Sequence, residues 1–415
     1  TIYDKNGLII VQDSHTYTVY AILDKTYVDS KKKPLYVQDK EKTADKLATV
    51  LPLSKAKILK YLNPKNKNTF QVQFGTAGSG LTLTEKKKIQ AMHLTGIKFM
   101  ETPSRLYPNG VFASNVVGYT VSQTNSKTQT TELEGVTGLE AYFNKILKGT
   151  NGYETSMVDS SENQLPSGSH SYKAAKDGDN LYLTIDSQLQ SALETYMSKV
   201  QKNYKPKAMT AVIEDLKTGK ILAASQRPTF NSQTKDGISK AGSNLLVQSS
   251  YEPGSVFKIL SLAAAVNSGN YNPKSYYRSG SITVSGSTIY DWQKSGWGTI
   301  PFSQAFPRSS NVGMVYLEKK IGAKLWRKYL NMFRITHKTG ITLPGEVSGS
   351  LSFSSPVDQA VTSFGQGVTV NVMQMMQVYS ALANNGQMVK PQLVEKITDS
   401  SGKTIKSYKV QKVGK

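Results

Sequence analysis

Apolar and polar positions change their period several times along this 415-residue chain. Ile2-Tyr3 and Leu8-Ile9-Ile10 flank Asp4-Lys5-Asn6-Gly7, and Asn-Gly is a preferred hairpin turn. Tyr17 to Ile22 reads as a second strand. Residues 40–63 and 83–94 have apolar positions at helical spacing among many charges, so they read as helices. Gly135 to Gly149 predicts a short helix with a glycine C-cap. Residues 121–133 (Ser, Thr and Gln) and 159–180 (Ser, Gly, Asp and Lys) read as loops, and the second marks the expected domain boundary.

Beyond that loop, Asn180 to Ile185 predicts a strand, and Asp186 predicts the cap of a helix over 187–202. Residues 211–215 and 220–225 form an expected antiparallel hairpin around Lys217-Thr218-Gly219. Helical patterns dominate 255–335 and return over 369–385. Few strands among many helices predict an α+β domain with helices on the faces of an antiparallel sheet. The expected domains are 1–170 and 171–415.

Charge narrows the environment. The chain carries 51 Lys and Arg against 29 Asp and Glu, a formal net charge of +22. Such a surface suits anionic surroundings such as a membrane surface or wall polymer. The Lys runs 31–33 and 86–88 lie in polar segments and read as solvated faces, and nothing resembles a nucleic-acid module. Cysteine is absent, which excludes disulfides and thiol chemistry, and the four scattered histidines have no metal-ligand spacing. No cofactor or metal is expected. No apolar stretch is long enough to span a bilayer; an N-terminal anchor outside this chain is the alternative to a soluble protein.

The chemistry gathers around Ser249-Ser250-Tyr251-Glu252-Pro253-Gly254-Ser255-Val256-Phe257-Lys258. Pro253-Gly254 predicts a turn feeding a helix that buries Ile259 to Val266. Ser255 and Lys258 then share a helix face. A desolvated lysine can take the proton of an adjacent serine, and a helix start favours developing negative charge. An N-cap serine beside a surface lysine has the same letters. Ser309-Ser310-Asn311 adds a second hydroxyl and a carboxamide that can hold a substrate amide, although it also reads as an ordinary helix start. Trp292 and Trp297 can wall a cleft or simply pack in the core.

Ser-x-x-Lys followed by Ser-x-Asn belongs to the motif set of penicillin-binding proteins and class A β-lactamases. Tyr251 to Lys258, Ser309 to Met314, Thr339-Gly340-Ile341-x-Leu343-Pro344-Gly345-Glu346 and Ser363-Phe364-Gly365-Gln366-Gly367 together resemble penicillin-binding proteins. Arg105-x-Tyr107-Pro108, Gly135-x-x-Gly138-Leu139-Glu140 and the opening Thr1 to Gly7 resemble the amino-terminal region of the class B members. The chain is identified on these residues as a member of class B, similar to its 2x division type.

That resemblance implies a penicillin-binding, β-lactamase-like transpeptidase domain behind a non-catalytic, mixed α/β pedestal domain. It implies that Ser255 is acylated by the D-Ala-D-Ala end of a peptidoglycan stem peptide or by a β-lactam. Lys258 would be the base and Ser309 the proton relay. Asn311, Trp292, Gly254 and Ser310 would contact substrate. Implied partners are stem peptides, a membrane glycosyltransferase and other division proteins, at the extracytoplasmic face of a cell membrane, Gram-positive by expectation. The alternatives are a D,D-carboxypeptidase or β-lactamase-like hydrolase, or a non-catalytic penicillin-sensing module.

A third motif, Lys-Thr/Ser-Gly on a cleft strand, is also implied. Lys338-Thr339-Gly340 has the letters and sits in a passable strand over 334–341, but it runs into Leu343-Pro344-Gly345-Glu346, which in the family is a structural turn. Lys217-Thr218-Gly219 precedes the nucleophile in a hairpin turn. Both are expected to be decoys, the true motif lying beyond Lys415. The chain is therefore expected to be a fragment without anchor or C-terminal part, and inactive by itself.

Overall fold

The computed structural model describes residues 1–124, 131–157 and 170–414. Two compact units are built from interleaved segments. Val11–Pro108 and Thr120–Glu134 form one, and Thr1–Ile10, Asn109–Tyr119 and Gly135–Lys415 form the other. No helix among the described residues is long and apolar enough to cross a membrane.

The chain opens with β1 (Ile2–Tyr3) and a turn in which the Asp4 N–H donates to Leu8 O at 2.8 Å and Gly7 adopts φ 83°. β2 (Ile9–Ile22) follows and is the spine of the smaller unit. It is one strand across residues expected to divide into two, because backbone pairing tolerates the polar run Gln12 to Thr16. β2 pairs antiparallel with β3 (Gln71–Gln73) and β4 (Ile97–Leu106), in register from Gln12↔Leu106 to Ala21↔Ile97.

Helices α1 (Lys40–Leu47), α2 (Lys55–Leu62) and α3 (Leu83–Gln90) start where Asp39, Ser54 and Thr82 cap free backbone N–H groups. Their apolar stripes bury Leu47, Ile58, Leu62 and Ile89 against Val19, Ala21 and Phe74. The lysines remain on the outer faces, as an amphipathic pattern requires. The expected loop over 121–133 is replaced at its ends by paired strands β5 (Thr120–Thr124) and β6 (Thr131–Gly135), since β-branched threonine suits extended backbone. Residues 125–130 lie outside the described residues, as do 159–169 of the expected loop 159–180.

In the larger unit, α4 (Ser114–Val117), α5 (Gly138–Tyr142) and α6 (Asn144–Leu147) are single turns, so the helix expected over 135–149 is broken at Phe143. β7 (Tyr153–Ser156) pairs antiparallel with β8 (His170–Lys173). β9 (Asn180–Leu183) pairs parallel with β1. α7 (Ser187–Tyr204) is capped by Asp186 as expected. β10 (Met209–Asp215) and β11 (Lys220–Arg227) form the expected hairpin, followed by the single turn α8 (Ile238–Ala241).

α7 and β11 are joined by buried polar bonds. Gln190 bonds both backbone groups of Ala224, at 2.9 and 3.0 Å. Arg227 and Glu194 form a buried ion pair at 2.8 Å, and Glu194 also accepts the Ala113 N–H at 2.8 Å. Ala113 is held there at φ 47°, a conformation costly for a residue with a Cβ.

The apolar core of this unit is helical. α9 (Lys258–Asn267), α10 (Asn311–Ile321), α11 (Ala323–Met332), α12 (Pro356–Thr362) and α13 (Val372–Ala383) bury Leu260, Val312, Val315, Trp326, Ala360 and Met375 around Phe257. The expected helical run over 255–335 is interrupted by two antiparallel strand pairs. β12 (Tyr276–Arg278) pairs with β15 (Thr299–Pro301), and β13 (Ser281–Val284) with β14 (Ser287–Tyr290). Ser285 (φ 45°) and Gly286 (φ 83°) make the two-residue turn of the second hairpin, whose positive φ values match the twist of its strands.

The passable strand over 334–341 does not form: those residues are turns and coil ahead of β16 (Ser350–Leu351), which pairs with β17 (Val368–Thr369). β18 (Met388–Val389) precedes β19 (Val394–Thr398), which pairs antiparallel with β9 and with β20 (Thr404–Ser407). β1 therefore makes this sheet mixed rather than wholly antiparallel. β21 (Lys412–Gly414) pairs with β18.

Removing Glu194 with Ala leaves the buried Arg227 guanidinium without its counter-charge and frees the Ala113 N–H. That change is expected to cost about 3–5 kcal/mol of unfolding free energy. Denaturant titration reads it, and a loss below about 1 kcal/mol, the size of an exposed pair, would contradict the arrangement.

Candidate active site

Ser255 lies in a 3-10 turn, Gly254–Phe257, that runs directly into α9 at Lys258. It makes no capping bond, so the N-cap reading of this serine does not hold. At three residues per turn Ser255 and Lys258 eclipse each other. Ser255 is exposed, whereas Lys258 is 2% exposed. The turn is possible because Gly254 takes φ 60°. Gly254 is expected from the sequence to contact substrate; its N–H donates to Gly365 O at 3.0 Å.

The Ser363-Phe364-Gly365-Gln366-Gly367 signature backs this turn. A Cβ on Gly365 would stand 2.2 Å from Gly254 O, so only glycine allows the two backbones to cross. Tyr251 and Val370 exchange backbone bonds at 2.9 and 3.0 Å. Glu252 accepts the Gly367 N–H at 2.9 Å, Ser261 Oγ donates to Ser363 O at 2.6 Å, and the Tyr379 hydroxyl donates to Val256 O at 2.9 Å. The serine is thus exposed on a backbone tied down on its far side.

Lys258 Nζ donates to Ser309 O at 2.7 Å and lies 3.0 Å from Ser309 Oγ. Ser309 takes φ 51°, in the left-handed region. Burial pulls the Lys258 amine down to about 8, and the charge of Asp291 acts in the opposite direction. An amine near 8 is partly neutral at physiological pH, so it can accept a proton.

Asn311 Nδ2 donates to Tyr290 O at 3.0 Å, which orients the carboxamide. Ser310 corrects an expectation: it is fully buried, and its hydroxyl donates to Asp291 Oδ1 at 2.9 Å while accepting the Gly313 N–H at 2.9 Å. It is the N-cap of α10 and has no face left for substrate. Gly313 is required below it, because a Cβ there would meet Ala305 Cβ at 2.7 Å. Trp292 is not core packing: it is 69% exposed, with Nε1 donating to Arg308 O at 3.0 Å and its ring edge-on to Trp297 at 5.6 Å.

Lys338-Thr339-Gly340 is a turn fixed by Glu346. That carboxylate accepts the Thr339 N–H at 2.8 Å, the Thr339 hydroxyl at 2.7 Å and the Gly340 N–H at 2.8 Å. Lys217-Thr218-Gly219 is the β10–β11 turn, where the Gly219 N–H donates to Asp215 O at 2.8 Å. Sequence reasoning passed over Asp291, Glu252 and Tyr379. Nothing local marks them, because their partners lie between 11 and 123 positions away.

Comparison with known proteins fits this geometry. Residues 209–415 match the penicillin-binding protein transpeptidase domain, and residues 1–183 the penicillin-binding protein dimerisation domain. The chain belongs to the class B penicillin-binding proteins. Stage V sporulation protein D of Bacillus subtilis is 32% identical over 98% of this chain and 60% of its own length. A peptidoglycan D,D-transpeptidase FtsI homolog of Chlorokybus atmophyticus is 28% identical over 98% of this chain and 59% of its own. The crystal structure of penicillin binding protein 2X from Streptococcus thermophilus superimposes with a TM-score of 0.81 at 38% identity, covering all of this chain and 62% of that one. This penicillin-binding protein chain thus spans about three fifths of the length of these relatives.

Two outcomes follow for the site. Replacing Lys338 with Ala is expected to leave penicillin labelling of the intact protein unchanged, while Glu346→Ala, which frees three donors, is expected to cost about 2–4 kcal/mol of stability. A labelling loss in the Lys338 variant would return that lysine to the active site. Labelling should also rise with pH through about 8 if the neutral Lys258 amine takes the serine proton. Below pH 7 the rate should fall about tenfold per unit. A flat pH–rate profile from 6 to 9 would contradict the assignment of Lys258.

Proposed function

We propose that the intact protein is a peptidoglycan D,D-transpeptidase in cell-wall synthesis, with Ser255 as nucleophile. The observation that carries this reading is Lys258: a buried amine, pulled down to about 8, bonded to Ser309 and one turn from an exposed serine.

In this reading, Ser255 Oγ attacks the carbonyl carbon of the penultimate D-Ala of a stem peptide, and its proton passes to Lys258. The C–N bond to the terminal D-Ala breaks, and that leaving amine takes a proton relayed through Ser309. An amine of a second stem then attacks the ester, the C–O bond to Ser255 breaks, and the crosslink and the free serine form. Asn311 holds the substrate amide, and Trp292 walls the cleft. A β-lactam follows only the first half and leaves Ser255 acylated. Gly254 and Ser310 act by shaping the turns that carry Ser255 and Ser309.

Residues 1–170 serve as a non-catalytic pedestal and 171–415 as the acylating domain, working at the extracytoplasmic face of the cell membrane with a glycosyltransferase and other division proteins. A Lys-Ser/Thr-Gly strand completing the cleft is needed for full rates. The three such triplets in this chain, at 217–219, 294–296 and 338–340, lie in turns or coil, and none is on a strand.

Labelling with fluorescent penicillin, followed by mass spectrometry of the Ser255 peptide, tests the nucleophile. Ser255→Ala should abolish labelling, and Lys258→Ala should slow it roughly 10²–10⁴-fold, the range for losing a general base. An acyl-enzyme lasting many minutes is expected. Release within seconds would replace the transpeptidase reading by the hydrolase one. Failure to crosslink stem peptides beside an active glycosyltransferase would favour a penicillin-sensing module.

A further inference from the structure

Beneath the candidate site lies a buried carboxylate that the reaction outlined above does not use. Asp291 is 2% exposed and sits in the loop between β14 and β15. Its Oδ1 accepts the Ser310 hydroxyl at 2.9 Å and the Val312 N–H at 3.0 Å, and its Oδ2 accepts the Gly280 N–H at 2.9 Å. Its own N–H donates to Gly280 O at 2.9 Å. Three donors converge on one carboxylate from two separate segments.

We propose that Asp291 is a positioning residue for Ser255 acylation: its carboxylate clamps the Ser309-Ser310-Asn311 turn onto the first turn of α10. The inference rests on the acylation reading above. By taking the Ser310 proton, Asp291 leaves the Ser310 oxygen to cap Gly313, and it also satisfies Val312, a second free donor at the helix start. The helix N-terminus in turn favours the negative charge. Ser309, whose carbonyl and hydroxyl receive Lys258, immediately precedes this clamp, so its place is set by Asp291 through one intervening residue.

Asp291 also acts on Lys258 through space. Its charge holds the amine up while burial pulls it down. The other ionisable groups around this corner are Tyr277 on β12, Arg308 ahead of α10, and Tyr251 and Tyr379 flanking the nucleophile turn. Among them Asp291 is the one whose charge bears on Lys258. Asparagine cannot replace it, since an amide NH2 would face an N–H donor.

The test compares the intact wild-type protein, Asp291→Asn and Ser310→Ala by penicillin acylation rates from pH 6 to 9, with thermal melts to confirm folding. Asp291→Asn should lower the plateau by about ten- to a hundredfold, the scale of a small misplacement. It should also move the acid limb to lower pH, because the charge that held Lys258 up is gone. Ser310→Ala should lower the plateau and leave the limb in place. An unchanged plateau in both variants overturns the clamp, and a lowered plateau with an unmoved limb in Asp291→Asn leaves only a structural residue and overturns the inference as stated. If wild-type protein is not labelled at Ser255, the acylation reading itself fails. Titrating the Lys258 side chain by 13C NMR in wild type and Asp291→Asn reads the charge effect with no acylation step: a lowered midpoint supports the through-space action, and an unchanged midpoint removes it even where labelling fails.

Discussion

The site depends on one buried amine. A lysine taken out of water must lose its charge or find strong acceptors. Lys258 does part of each, with its affinity for a proton lowered by burial and its amine bonded to Ser309. Everything around it keeps that compromise in place. The helical core around Phe257 buries the stem, the Gly254–Gly365 crossing fixes the turn above it, and the α10 start presents Ser309. A looser pocket would admit water and return the amine to its ordinary, fully charged state.

Backbone geometry carries as much of the site as side chains do. Gly254 and Ser309 both adopt positive φ, one before Ser255 and one at the acceptor of the Lys258 amine. Such conformations persist only where surroundings over-determine them. Here the surroundings are Gly365, Glu252 with Gly367, and Tyr379 on one side, and Asp291 with Ser310 on the other. Rigid support of this kind is what a serine needs if it is to meet a carbonyl without further rearrangement.

Sequence legibility followed the range of the interactions. Caps and turns were readable: Asp186 before α7, Asn6-Gly7, the β10–β11 hairpin and the turn before Ser255 all form. The strands β12 to β15 were not, since they sit as short, polar pieces in a region of helical patterns. Residues 334–341 erred in the other direction. Their alternation suited a strand, but Glu346 folds them into a turn by bonding Thr339 and Gly340. Ser310 is expected from the sequence to contact substrate, but as the cap of α10 it points into the interior.

By itself the sequence determined the family and the mixed helix–strand character, and it nominated the candidate residues for acyl transfer, because motif spacing and local turn chemistry are written in consecutive residues. Only the tertiary structure decided which of these meet. It placed Lys258 on Ser309, 51 positions away, buried Ser310, exposed Trp292 and brought Asp291 under the site. It also lowered the lysine's proton affinity, for desolvation is a property of the packed interior and not of any residue read alone.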